Sequence, residues 1–485
     1  MSTLETILVI VYSVIIFMLT LFGLHKYYLL FLYMKYKNKP KFVAGQFETL
    51  PKVTVQLPIY NEKYVIERLL REVCALDYPK NLLEVQVLDD SIDETQEAAL
   101  KWTQHFQNQG FDVKYIHRKN RSGYKAGALE NGLKQAEGEF VAIFDADFVP
   151  NPDFLINIIP YFTNEEVGLV QARWGYINQN YSLLTQLQSV FLDGHFVIEH
   201  TARNRSGRFF NFNGTAGVWR KKAIEEAGGW QHDTLTEDLD LSYRAQLAGW
   251  KFVFLPDVVA PSELPVEMNA YKSQQHRWAK GSIQTAKKLI PKIIHSSLPL
   301  KVKWEAFIHL ISNFSYLLMT IPSVLIFPVS IILFHLKFHQ FIYVYLFVFF
   351  SATFSIFVFY VYSQREIYPD WLTRVRYIPG IFALAIGLSI NNSKAVIEAL
   401  FNHKTEFKRT PKFRIESRRD GWQNKIYSSD KNFVPFLELL FGIYFSFSLF
   451  YAFKHQVYMS IPFFMLFQFG FLYSSLISLY QLHKS

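Results

Sequence analysis

Residues 138–150 read GEFVAIFDADFVP. The apolar run Phe140–Phe144 predicts a buried strand, and it ends in Asp145-Ala146-Asp147. Two carboxylates one residue apart, at the open end of a strand, can place oxygens on one divalent cation and leave room for a diphosphate. The plain alternative is a turn or helix cap, which Asp-x-Asp supplies equally well. The flanking chain decides between the two.

Upstream, Val53–Pro58 predicts a first strand stopped by its proline. A helix follows, with Val65, Ile66, Leu69, Leu70 and Val73 at helical spacing. Leu83–Leu88 predicts a second strand ending in Asp89-Asp90-Ser91, then a helix over 94–107, a strand at Val113–His117 and a helix over 125–135. Strands alternating with helices give a parallel sheet of Rossmann type, and such sheets bind ligands outside the carboxyl ends of their strands. Asp89, Asp90, Asp145 and Asp147 all fall at such ends, which lifts both pairs above the turn reading. No G-x-G-x-x-G is present, which argues against a dinucleotide cofactor.

The 485 residues exceed one ordinary soluble domain, and the 47 Phe and 28 Tyr concentrate toward the two ends, as in a membrane protein. Cys74 is the single cysteine, so an intrachain disulfide and a cysteine-rich metal site are excluded. The formal charge of +9 fits basic loops against an anionic leaflet better than it fits nucleic acid.

Thr6–Leu24 carries no charge, is long enough to span, and lacks the flanks of a cleaved signal, so it is expected to be an anchor. Lys26, Lys35, Lys37, Lys39 and Lys41 follow it, placing the N-terminus outside and the next domain in the cytoplasm. Further spans are expected at about 306–335, 341–362, 433–453 and 458–482, with Lys337 in the first intervening turn. The segment 371–400 is apolar enough to cross. Crossing, however, would put outside the loop that carries Lys404, Lys408, Arg409, Lys412, Arg414, Arg418, Arg419, Lys425 and Lys431. It therefore reads as interfacial or re-entrant, leaving five spans and a cytoplasmic C-terminus. The resulting division is an anchor (1–41), a cytoplasmic catalytic domain (42–270), interface helices (271–300), two spans (301–362), an interfacial segment with a loop (363–432) and two spans (433–485).

Several stretches resemble family 2 inverting glycosyltransferases, whose fold is the α/β GT-A fold. Tyr60-Asn61-Glu62, Asp89-Asp90, Lys125-Ala126-Gly127 and Asp145-Ala146-Asp147 look like that family's donor site. Asn213-Gly214-Thr215, Thr236-Glu237-Asp238 and Gln274-Gln275-His276-Arg277-Trp278 look like the acceptor half of its processive members, the cellulose, mannan, chitin and hyaluronan synthases. FNGTAGVWR at 212–220 and the QQHRW form most resemble cellulose-synthase-like glucomannan and mannan synthases. The likeness spans roughly residues 50–415.

The resemblance implies a nucleotide-sugar donor, UDP-glucose or GDP-mannose, held by Tyr60, Glu62, Asp89, Asp90, Lys125, Asp145 and Arg277. Asp147 and Asp145 would hold Mg2+ or Mn2+. Lys125 opens a helix, where a cation can contact the diphosphate. Asp238, beside Glu237, is the expected base that takes the acceptor proton. N-capping by Thr236 would explain the same cluster. Asn213, Gly214, Gln274, Gln275 and Trp278 would hold the acceptor, with the Trp278 face as a stacking surface. Because Lys272 and Lys280 flank it, this helix could instead be a basic membrane-surface helix.

Phe407, Thr410 and Lys412 resemble a gating loop, although Arg409 stands where the pattern has valine. His195, His200 and His232 show no metal-ligand spacing and read as structural or surface. Glu438 lies inside an apolar span, facing a polymer path or the interface.

The implied activity is processive transfer of hexose into a β-linked glycan extruded through the membrane helices. The implied partners are the donor, the growing glycan and the bilayer, without nucleic acid, and accessory subunits are not legible. Transfer to a lipid acceptor, and a catalytically dead scaffold or transporter, are the rivals.

Overall fold

A computed structural model describes residues 2–40, 42–335, 339–407, 409–423, 425 and 433–484. Lys41, Lys337, Lys408 and Lys431 of the basic loops lie outside the described residues.

Seven strands form one sheet: β1 (Val53–Ile59), β2 (Leu83–Asp89), β3 (Asp112–His117), β4 (Phe140–Ile143), β5 (Val167–Tyr176), β6 (Gly217–Arg220) and β7 (Lys251–Ser262). Their order is β3-β2-β1-β4-β6-β5-β7. β1 to β4 pair in parallel, as the alternation of strands and helices predicts. The sheet as a whole is mixed, because β6 runs antiparallel to both β4 and β5. Four residues long and embedded in the FNGTAGVWR stretch, β6 carries too little periodicity to be recognised as a strand beforehand.

Side-chain alternation along β4 feeds two cores. Phe140, Ala142 and Phe144 join the core on one face of the sheet, and Val141 and Ile143 join the other. All five are fully buried, as expected for a strand covered on both faces. β1 does not stop at Pro58 but continues to Ile59. Phe144 N donates to the Gln56 carbonyl and Asp90 N to that of Ile59, so Pro58 faces β4 just after that strand has ended. The missing N–H costs no ladder bond there.

Thr3–Tyr36 is one continuous helix, longer than the predicted span. Among the described residues, five helices are long and apolar enough to cross a membrane: Thr3–Tyr36, Phe314–His335, Trp371–Leu400, Val434–Lys454 and Ile461–Leu482. A further helix, His339–Ile367, packs along the first. Glu438 meets Lys272: the ammonium donates to Glu438 Oε2 at 2.5 Å and to Ser478 Oγ at 2.8 Å, with both charged side chains buried.

Candidate active site

A cavity opens at the carboxyl ends of β4 and β7, where Asp145, Asp147, Ser262 and Glu263 line it. Its wall carries Lys125, Asp145, Asp147, Asn213, Gly214, Glu237, Asp238, Gln274, Arg277, Trp278 and Lys412. Residues that are up to 287 positions apart, from Lys125 to Lys412, thus meet in one cleft.

The two aspartates after β4 are both held by lysines. Lys125, at the start of the Tyr124–Leu133 helix, donates to Asp145 Oδ1 at 2.5 Å and to the Gly214 carbonyl at 2.9 Å. Burial disfavours its charge, but Asp145, Glu237 and Asp238 together raise its pKa above the usual lysine value. Lys412 donates to Asp147 Oδ2 at 2.7 Å, and Glu263 N donates to the same oxygen at 3.2 Å. Beside them, burial pushes the Glu62 carboxyl up to about 7. Arg409 opposes that shift, while Asp147 and Asp145 add to it.

Glu237 and Asp238 start the Glu237–Leu247 helix. Thr236 gives no side-chain cap, and its hydroxyl instead faces that of Thr285 at 3.3 Å. The capping explanation for this cluster therefore fails. Burial pushes the Asp238 carboxyl up to about 7, with Glu237 adding and Lys125 opposing. Gly214 has φ of +80°, and a Cβ there would lie 3.1 Å from Asp238 Oδ2 and 3.4 Å from the Lys125 ammonium. Only glycine lets this turn pass between the two.

Asp89 and Asp90 lie off this wall. Asp89 accepts from Tyr115 Oη at 2.7 Å and Ser91 N at 2.9 Å. Asp90 takes the Arg118 fork at 2.8 and 2.5 Å. Tyr60 stacks under Arg121, whose guanidinium carbon is 3.3 Å from the ring centre. Phe407 lies between Tyr124, 5.6 Å away and nearly parallel, and the Arg277 guanidinium at 4.8 Å. The Thr410 hydroxyl is buried without a hydrogen-bond partner among the described residues, as is the Gln275 amide nitrogen.

The QQHRW helix, Met268–His295, presents Gln274, Arg277 and Trp278 to the cavity. It is not a basic surface helix. Lys272 and Lys280 are both buried, and Lys280 donates to Glu398 at 2.9 Å and to Thr405 Oγ1 at 2.9 Å.

Residues 51–281 match the protein family described as "Glycosyltransferase like family 2". Over those residues the chain is similar to a family 2 glycosyltransferase domain. Glucomannan 4-beta-mannosyltransferase 1 of Oryza sativa subsp. japonica is 45% identical over 269 residues, covering 54% of this chain and 51% of that protein. Its namesake in Cyamopsis tetragonoloba is 48% identical over 249 residues, 50% of this chain and 47% of that protein. The chain thus spans about half the length of these relatives. Among solved structures, the mannosyltransferase PcManGT from Pyrobaculum calidifontis, in complex with GDP-Man and Mn2+, aligns with a TM-score of 0.54 at 21% identity. That alignment covers 83% of this chain and 100% of that one, and the likeness is one of fold.

Within these residues the histidines at 195 and 200 have a place that spacing alone did not reveal. Gly194–His200 is a π-helical turn, which brings residues five apart onto one face. The two rings lie 4.3 Å apart and flank one amide. His195 Nε2 is 3.0 Å from Asn213 Nδ2, and His200 Nε2 is 2.6 Å from Asn213 Oδ1. Burial holds His200 well below the usual histidine pKa, so it stays neutral. The Asn213 side chain is thereby fixed at the cavity wall. His232 is exposed.

Proposed function

We propose that the chain is a membrane-embedded, processive, inverting β-glycosyltransferase that adds hexose from a nucleotide-sugar to a growing glycan. The observation that carries this is the meeting, in one cleft, of a lysine-neutralised aspartate pair, an aspartate that keeps its proton to about pH 7, and a tryptophan on the wall. The first suits a diphosphate leaving group, the second an acceptor proton, and the third a sugar ring. Asp238 is the base, with Glu237 beside it raising its proton affinity. Gln274, Trp278, Asn213 and Gly214 line the acceptor side.

Asp145 and Asp147 would hold Mg2+ or Mn2+, since they offer hard oxygen donors. The Lys125 and Lys412 ammonium groups now supply the counter-charge to these two aspartates, at 2.5 and 2.7 Å, which a divalent ion would take over. When bound, the ion would supply charge stabilisation to the departing diphosphate. The Phe407–Lys412 stretch covers the donor side, with Lys412 on Asp147 and Arg409 on Glu62, 3.2 Å apart. Asp89, Asp90 and Tyr60 shape the far wall for the nucleoside. The relatives' names favour a mannosyl donor and a β-1,4-linked mannan or glucomannan.

The catalytic domain faces the cytoplasm in this reading, and the N-terminus lies outside. One end of the Trp371–Leu400 stretch meets that domain and the other meets the interface helix that follows it. Tyr377 shares a recess with Asn180, and the Leu400 carbonyl accepts from Lys287 at 2.9 Å. This supports an interfacial course for the stretch, with His339–Ile367 as the crossing helix before it. Met268 N donates to Gln481 at 2.7 Å, which supports a cytoplasmic C-terminus.

The test offers labelled GDP-mannose or UDP-glucose to membrane vesicles with Mn2+, then digests the product with linkage-specific hydrolases. A long glycan cut by a β-1,4-mannanase is the expected outcome. A short product extractable into organic solvent would overturn the polymer reading in favour of a lipid acceptor.

A further inference from the structure

A second recess lies outside the active site. It has room of about 230 Å³ and a polar wall, and it collects three arginines from separate places: Arg374, Arg376 and Arg418. Gln186, Asn180 and the carboxylate of Asp370 line it as well.

Asp370 takes Arg374 Nε at 3.2 Å, and Arg374 also lies over the Tyr368 ring at 3.5 Å. Arg376 reaches the Tyr377 hydroxyl at 3.0 Å. Arg418 donates from Nε to the Asn180 carbonyl at 2.6 Å, and its two terminal nitrogens have no protein partner among the described residues. Three guanidinium charges against one carboxylate leave a net of +2 in one recess. Planar forks with open donor edges match phosphate oxygens, and like charges gather at such density where an anion compensates them.

Two further facts bear on the ligand. Arg374 and Arg376 come shortly after the 29-residue His339–Ile367 helix, where a crossing helix meets the headgroup layer. Arg418 lies six positions after Lys412, on the segment that reaches Asp147.

We propose that this recess binds a phosphate-bearing anion, which bridges Arg418 to Arg374 and Arg376 and so ties the segment after Lys412 to the membrane-proximal stretch. The shared chemistry is a phosphate ester or free phosphate. Its source is an anionic lipid headgroup or a soluble phosphate compound. The inference rests on the placement of the 339–367 helix and is independent of the transfer chemistry.

The test titrates detergent-solubilised full-length protein with phosphatidylglycerol, phosphatidylcholine or inorganic pyrophosphate, counting bound molecules by native mass spectrometry. Phosphatidylglycerol or pyrophosphate should bind, and the R374Q/R376Q/R418Q variant should weaken that binding at least about tenfold. Phosphatidylcholine should not discriminate between the proteins. Selective retention of the lipid identifies a headgroup site, and retention of pyrophosphate identifies a soluble ligand. In parallel, the bound anion should slow amide exchange across residues 409–420. Since Arg376 is exposed, the single R376Q variant should weaken binding without moving the thermal midpoint, which guards against misfolding of the triple variant. Equal binding by wild type and triple variant, or no anion binding by either, overturns the proposal.

Discussion

Two acidic pairs line the cleft, and their charges are handled in opposite ways. Asp145 and Asp147, at the end of a strand, each touch a lysine directly. Asp238, at the start of a helix, receives its own helix's Leu239 N at 2.8 Å and sits beside Glu237. Its one nearby lysine, Lys125, acts through space and is bonded to Asp145. In the proposed reading the first pair exchanges its lysines for a divalent cation. In the same reading Asp238 exchanges a proton. The difference lies in burial and in the neighbouring Glu237 at Asp238, against direct lysine contacts at Asp145 and Asp147.

The largest break in this contrast is Asp238→Asn. It removes proton transfer and leaves the donor side intact, so turnover should fall by roughly a thousandfold with the donor KM little changed. Steady-state kinetics with labelled donor will check it, and unchanged turnover would remove Asp238 from its role. Asp147→Asn attacks the other pair. It should raise the Mn2+ concentration for half-maximal activity by roughly 10–100-fold, while saturating metal restores part of the rate.

The contrast also predicts a pH profile. A base must be ionised, and the Asp238 carboxyl is pushed up to about 7, so kcat/KM should fall about tenfold per unit as the pH drops below that value. Glu237→Gln removes a neighbouring negative charge that raises this pKa, so the midpoint should move toward acid. A midpoint that stays in place would separate the two carboxylates. The smallest effect is expected from Lys412→Met. That change loosens one tie of the loop to Asp147 while Lys125 still holds Asp145, so the donor KM should rise only severalfold.

The strand-end half of the site was legible in the sequence because it follows short-range rules. An apolar run, a stop and a carboxylate place Asp89, Asp90, Asp145 and Asp147 without knowledge of any partner. β5 to β7 were less legible. β6 is four residues long, and its antiparallel course depends on neighbours brought from far along the chain. His195 and His200 escaped for a geometric reason. A separation of five joins side chains only in a π turn, and ordinary helical spacing gives no hint of one. Glu438 was visible as a charge in an apolar span, and Lys272 and Lys280 as the mark of a basic surface helix, but their pairing and burial needed the fold.

Those lysines have a mechanical meaning. Lys272 and Lys280 flank Trp278 by six positions before and two after. One is locked to Glu438 of the apolar Val434–Lys454 helix and the other to Glu398, near the end of the Trp371–Leu400 helix. To slide or rotate by one turn, the helix would have to pull one ammonium out of the buried Glu438 and the other from the partly buried Glu398, and breaking a buried pair such as the first costs about 3–5 kcal/mol. The tryptophan is thus a fixed stop. If sugars advance past it one at a time, the stroke belongs to the chain of sugars and to the loop above it, and the helix serves as the stator against which they move.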